Sequence, residues 1–155
     1  MKSTSEASSP RWRSAILYAW VALGSIIGGL ARYLVGIAFT GAAFQPNLPP
    51  SFPPSFPWAT LFINATGSLI IGFYATLTGP DGRLLARPEH RQFVMTGFCG
   101  GYTTFSTFSL ETFRLYHAGM KYVALAYIGA SIICWLVSVW LGHLAANSYN
   151  RVKRS

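Results

Sequence analysis

Residues 97–111 read Gly97-Phe98-Cys99-Gly100-Gly101-Tyr102-Thr103-Thr104-Phe105-Ser106-Thr107-Phe108-Ser109-Leu110-Glu111. Two adjacent glycines followed by two β-branched threonines disfavour a continuous helix. A break is expected there, near the midplane of the apolar layer the segment would cross. A break frees backbone carbonyls and amides, which then need protein, water or an ion as partner. Freed carbonyls are hard oxygen ligands and suit a small hard cation such as Na+; a kink that serves packing alone is the other reading. Phe105 and Phe108 stand three apart, with Ser106 and Thr107 between them. Rings in membrane helices mostly pack, but the positive ring edge can attract a small anion where a lone pair would repel it. Glu111 follows one turn later, as a proton relay or as a cap or partner for Arg32 or another neighbour.

Three further patterns place polar groups among apolar ones. Thr60, Asn64 and Ser68 recur every four residues and share one helix face. They read either as an interhelical hydrogen-bond patch or as the polar wall of a pore. An Asn amide suits the second role because it donates to an anion without bringing a charge. Gly24 and Gly28 form a small-residue face for close helix contact. Arg32, one turn on, either snorkels to an interface or tie point, or makes an electropositive vestibule that draws anions. Tyr127, Ser131 and Ser138 share a face of the last apolar stretch, a weaker pattern that pore lining or chance explains equally.

These residues matter because of what surrounds them. Of 155 residues, 52% are hydrophobic and 10% charged. A soluble domain of this size carries roughly a quarter charged residues, and disorder needs low hydrophobicity with high charge. Trp58 to Leu77 and Tyr122 to Leu141 are each 20 residues without a charge; Phe93 to Leu110 gives 18, and Ala15 to Ala31 gives 17 before Arg32. About 20 apolar residues span a bilayer's hydrocarbon core as a helix. The expected fold is an all-α integral membrane protein with four transmembrane helices, near 14–39, 58–78, 91–116 and 121–146. The first apolar stretch is too long for a secretory signal and lacks a small-residue cleavage pattern. A soluble bundle would need polar faces that these runs lack. The stretch 40–57 holds six prolines and no charge, so it is an extended connector. The connector around His117 to Lys121 is short enough to make the last two helices an antiparallel hairpin.

Orientation follows from Lys and Arg. Four crossings put the N-terminal tail, the second connector and the C-terminal tail on one side, with nine basic residues: Lys2, Arg11, Arg13, Arg83, Arg87, Arg91, Arg151, Lys153 and Arg154. Arg114 and Lys121 make two on the other side. Both termini are therefore expected in the cytoplasm. Bases spread over short flanks set topology and do not make a nucleic-acid surface. Cys99 and Cys134 lie in apolar stretches and read as buried, reduced thiols. His90, His117 and His143 fall at segment ends, which disfavours haem ligation. No metal-spaced Cys/His cluster, phosphate-binding glycine loop or Ser/His/acid set is present, so no enzyme is expected.

The four segments, the early Gly28-Gly29-Leu30-Ala31-Arg32-Tyr33, Asn64, and above all Gly100 to Phe108 followed by Glu111 resemble the Fluc (CrcB-type) fluoride channels, over about 130 residues. The resemblance implies a passive fluoride-selective channel of the bacterial inner membrane that lowers cytoplasmic fluoride. It implies an antiparallel dimer with two fluoride pathways and one structural Na+ at the interface. Carried over by position, the Gly100 and Thr103 carbonyls would hold Na+, doubled by the partner. Asn64, Phe105, Phe108, Thr60, Ser106, Thr107, Tyr127 and Ser131 would line the fluoride pathway, with Arg32 and Glu111 in vestibule or structural roles. The partners are then fluoride, membrane lipid and an inverted second subunit, with no nucleic acid. The chain divides into a cytoplasmic tail (1–13), a four-helix channel domain (14–146) and a basic cytoplasmic tail (147–155).

Two features depart from the family pattern. The Pro-rich connector is longer than a compact member requires. The nine-to-two bias predicts one fixed orientation, so the inverted subunit is either this same chain or an oppositely oriented paralogue. The competing readings are a small proton-coupled multidrug exporter and a non-transporting membrane scaffold subunit. The exporter would need an acid in the first helix, where this chain carries Arg32. The scaffold explains the glycine face but not the break and the Phe pair.

Overall fold

The computed structural model describes residues 11–40, 56–80, 82, 84 and 86–152. The Pro-rich run 41–55, both extreme tails and Arg83 lie outside the described residues. Every element among them is helical. Helix α1 spans Arg11–Thr40 and α2 spans Trp58–Leu77. A composite helix, α3, covers 88–102 in three joined pieces: an α-turn at Pro88–Arg91, a π-helical stretch at Gln92–Cys99 and a last α-turn at Gly100–Tyr102. Helix α4 spans Phe105–His117 and α5 spans Lys121–Val152. Among the described residues, three stretches are long and apolar enough to cross a membrane: Ser14–Phe39, Trp58–Leu77 and Lys121–Arg151. At 1.5 Å per residue, α1 and α5 are about 45 Å long, beyond the roughly 30 Å of hydrocarbon. Helix α5 continues through residues assigned from sequence to the C-terminal tail.

Glycines set the helix pairing. A Cβ on Gly24 would strike the Phe93 carbonyl and lie 2.8 Å from the Phe98 nitrogen; one on Gly28 would strike the Phe98 carbonyl. On the facing helix, a Cβ on Gly97 would lie 2.7 Å from the Val21 carbonyl, and one on Gly101 would strike that of Ser25. Two small-residue faces, both at four-residue spacing, thus lock α1 to α3 backbone to backbone. Gly72 and Gly142 do the same for α2 and α5, against Val139 and Leu69.

Pro88 starts α3, where its missing N–H has no helical acceptor to lose. The start is pinned to α1 by Trp20, whose ring meets His90 and Phe93 edge-on at 5.8 Å. Helices α4 and α5 form a tight antiparallel pair. Gly119, at φ +79°, takes the left-handed turn, and Met120 N–H closes it on the Leu115 carbonyl at 3.0 Å. A small core gathers Phe108, Leu115, Ala124 and Tyr127. Large apolar side chains such as Ile26, Leu30, Ile133 and Leu136 point outward and are exposed, as lipid-facing residues are. Cys99 is buried and Cys134 half-buried, both as free thiols.

Candidate functional site

The third segment stops being helical at Thr103 and Thr104, whose backbones are extended (φ −78°, ψ 159° and φ −149°, ψ 118°). The glycine pair itself stays helical. Its smallness is used for the approach of α1 at Gly101, and the interruption falls on the β-branched residues. Thr103 N–H still bonds the Cys99 carbonyl at 2.9 Å, and its hydroxyl donates to the same oxygen at 2.8 Å. Thr104 N–H, which would have closed the next turn on Gly100, goes to Asn64 Oδ1 at 2.8 Å. Asn64 Nδ2 donates back to the Thr104 carbonyl at 3.0 Å. The amide thus stands in for a neighbouring strand and satisfies both backbone groups of the interruption in a buried setting. Asn64 is fixed from α2, which also supplies a second tie, Thr66 Oγ1 to Tyr102 OH at 2.9 Å.

Thr104 also begins α4. Its hydroxyl accepts from Thr107 N–H at 3.1 Å, an N-cap bond. The same hydroxyl reaches Thr107 Oγ1 at 2.9 Å and Ser106 Oγ at 3.2 Å. Arg32, on α1, donates from Nη1 to the Thr103 carbonyl at 3.3 Å. Three elements therefore converge on two residues.

Glu111 makes a second knot one layer away. Thr60 Oγ1 donates to Oε1 and Tyr127 OH to Oε2, both at 2.8 Å. Its partners are hydroxyls of α2 and α5, while Arg32 is engaged at the interruption. Phe108 is buried above this knot, with its centroid 5.1 Å from Tyr127 and 5.0 Å from Trp135. Phe105, 5.6 Å from Phe108, is 70% exposed, and Ser106 and Thr107 are exposed beside it. Tyr127 and Ser131 are fully buried, while Ser138 is half-buried.

A cavity of about 310 Å3 opens beside the interruption. Asn64, Ser68, Gly100, Thr103, Phe105 and Trp135 are among the residues that line it. Of the residues singled out from sequence, Asn64, Gly100, Thr103 and Phe105 meet at this cavity, while Thr60, Glu111 and Tyr127 meet below it. Reading the sequence missed Tyr102 and Trp135, and gave Thr104 a part in the break but not in the cap. Trp135 continues the four-residue series of Tyr127 and Ser131, and the T-x-x-T spacing of Thr104 and Thr107 fits an N-cap. Nothing local marks Tyr102.

The model of one family, the CrcB-like proteins (camphor resistance, CrcB), matches residues 19–143. Relatives are similar over nearly their whole length. A protein of Bradyrhizobium diazoefficiens named fluoride-specific ion channel FluC 1 is 73% identical over 150 residues, 96% of this chain and 97% of its own. One of Rhodopseudomonas palustris with the same name is 59% identical, over 90% of this chain and 92% of its own. The fluoride-specific ion channel FluC of Rhodospirillum rubrum is 46% identical, over 83% and 93%.

Proposed function

The chain belongs to the CrcB-like protein family, and on that premise we propose that it is a passive fluoride-selective channel through which fluoride leaves the cytoplasm. The observation that carries this is the 73% identity, over almost the full length, with a protein named as a fluoride-specific channel. Neither an exporter nor a scaffold has comparable support.

The geometry fits the chemistry. Fluoride is small and strongly hydrated, so a pathway must offer donors in place of water. Asn64 spends one amide hydrogen on Thr104 and keeps the other. Ser106 and Thr107 present hydroxyls, and the edges of Phe105 and Phe108 add weaker attraction. Both oxygens of Glu111 accept a hydrogen bond from a hydroxyl, which offsets part of its repulsion of a passing anion.

In this reading the segment 88–117 makes the fourth crossing, with its interruption near the midplane. The nine-to-two distribution of basic residues puts both termini in the cytoplasm. A second subunit, inverted in the membrane, covers the exposed Phe105, Ser106 and Thr107. Hydroxyls at membrane depth call for protein or a watery path beside them, not lipid. Because the charge bias favours one orientation, that subunit is either this same chain inserted the other way or an oppositely oriented paralogue.

The donor set also fits Na+. The Gly100 carbonyl has its helical donor diverted to Asn64, and Gly100 and Thr103 border one cavity. Two hard oxygens per chain become four in a pair, while Arg32 occupies one side of the Thr103 oxygen. When bound, Na+ would supply positive charge and hold two interruptions together.

The test is fluoride release from liposomes loaded with KF, started with valinomycin and read with a fluoride-selective electrode. Rapid release of fluoride and none of chloride is expected from the purified chain alone. No release from folded protein, with or without an oppositely oriented paralogue, would overturn the reading.

A further inference from the structure

Helix α5 is 32 residues long and carries no Asp, Glu, Lys or Arg from Tyr122 to Asn150. About 20 residues cross the hydrocarbon, so the turns from His143 onward stand at the headgroups. Trp140, Leu144, Asn147 and Arg151 follow one another there at spacings of four, three and four, and so share one side of the helix. Trp140 and Leu144 are exposed, by 58% and 39%. Arg151 is exposed as well, and Asn147 is half-buried. An apolar pair thus lies on the hydrocarbon side of a polar pair.

Asn147 is held in place from α2. Thr76 spends its hydroxyl hydrogen on the Gly72 carbonyl, at 2.9 Å. Its 2.8 Å contact with His143 Nδ1 must then use the ring's hydrogen. That leaves Nε2 of the neutral ring as an acceptor, and Asn147 Nδ2 donates to it at 2.8 Å. The second hydrogen of the amide diverges from the ring. One turn on, Arg151 brings a planar fork of donors, which matches a phosphate. The chain holds no Asp or Glu after Glu111, and Lys153 and Arg154 follow Arg151. No carboxylate of α5 therefore competes for these donors. A free anion would gain nothing from Trp140 and Leu144, whereas an acyl chain below its own phosphate would.

We propose that Asn147 and Arg151 bind the phosphate of an anionic phospholipid whose chain lies along Trp140 and Leu144. The inference needs α5 to cross the bilayer and holds whether or not the chain conducts fluoride.

The test reads tryptophan fluorescence of the purified protein in phosphatidylcholine vesicles. A small fraction of the lipid is brominated phosphatidylglycerol or, in parallel, brominated phosphatidylcholine, whose chains quench an indole on contact. The Trp140 signal is the difference between wild type and Trp140→Phe. Should that variant not fold, the signal is read from a chain in which the other four tryptophans are Phe. Phosphatidylglycerol should quench Trp140 more strongly than phosphatidylcholine does. Asn147→Ala and Arg151→Gln should each weaken that preference about tenfold, the loss of one hydrogen bond to a charged group. Arg114→Gln, at the other end of the membrane segments, should leave it unchanged. Equal quenching by the two lipids overturns the site. Full preference in Asn147→Ala, which keeps every charge, also overturns it, because diffuse attraction to the basic tail then suffices. Loss of the preference on adding sodium phosphate at constant ionic strength would make this a site for free phosphate and overturn the lipid assignment. None of these outcomes involves fluoride release, so the channel reading stands or falls separately.

Discussion

The side chain of Asn64 closes both backbone hydrogen bonds of Thr104, at 2.8 and 3.0 Å, although 40 residues separate the two. A buried interruption of a helix is stable only if its backbone groups find partners, and here one amide supplies both. The same residue therefore holds the fold at the site and presents a donor there.

Asn64→Ala should destabilise the chain by roughly 2–6 kcal/mol, since each of two buried backbone groups left unpaired costs about 1–3 kcal/mol. Fluoride release should be lost with it. Thermal unfolding in detergent checks the first effect; an unchanged midpoint would remove the clamp role.

Glu111→Ala strands the hydroxyls of Thr60 and Tyr127, whereas Glu111→Gln keeps one acceptor oxygen and an amide that either hydroxyl can meet. The alanine variant should lose about 3–6 kcal/mol, because each of its two hydrogen bonds to a charged group contributes about 1.5–3 kcal/mol, and the glutamine variant less. Adding Thr60→Val to Glu111→Ala should cost less than the sum of the single changes, because one bond is removed twice. Full additivity in a double-mutant cycle would show that the Thr60 bond contributes nothing.

Phe108→Ile and Phe105→Ile should separate passage from stability. Both should cut fluoride efflux at least tenfold. Phe108 is buried between Tyr127 and Trp135, so its replacement also loses aromatic contacts of about 1 kcal/mol. Phe105 is exposed on the single chain, and its replacement should leave chain stability within about 0.5 kcal/mol. Unimpaired efflux from either variant would take that ring out of the pathway.

Gly28→Ala pushes a methyl into the Phe98 carbonyl, whereas Gly29, its neighbour, faces nothing within 4 Å. Overpacking against backbone should cost Gly28→Ala about 1–3 kcal/mol or more. Gly29→Ala should be neutral or gain up to about 1 kcal/mol from helix propensity. Equal melting temperatures for the two variants would contradict the backbone-to-backbone contact of α1 and α3.

Much of the architecture was legible in the residue string. The apolar run from Trp58 to Leu77 appears as α2 with the same bounds, because an uncharged stretch of that length has little choice but helix. Gly24 and Gly28 announced a close contact, since small residues at four-residue spacing leave the backbone open along one face. The motif around Thr103 and Phe108 pointed to the family before any geometry was known.

Pairings across the chain were not legible. Sequence offered Arg32 as a partner for Glu111, but Glu111 takes Thr60 and Tyr127, and Arg32 reaches Thr103. Helical spacing fixes which residues share a face and says nothing about the face opposite. Asn64 looked like a free donor until Thr104 was found to use one hydrogen and the oxygen of its amide. The hold of Thr76 on His143, and through it on Asn147, is likewise a tertiary fact: spacing along α5 puts the ring and the amide side by side, but only packing brings the hydroxyl of another helix to the ring.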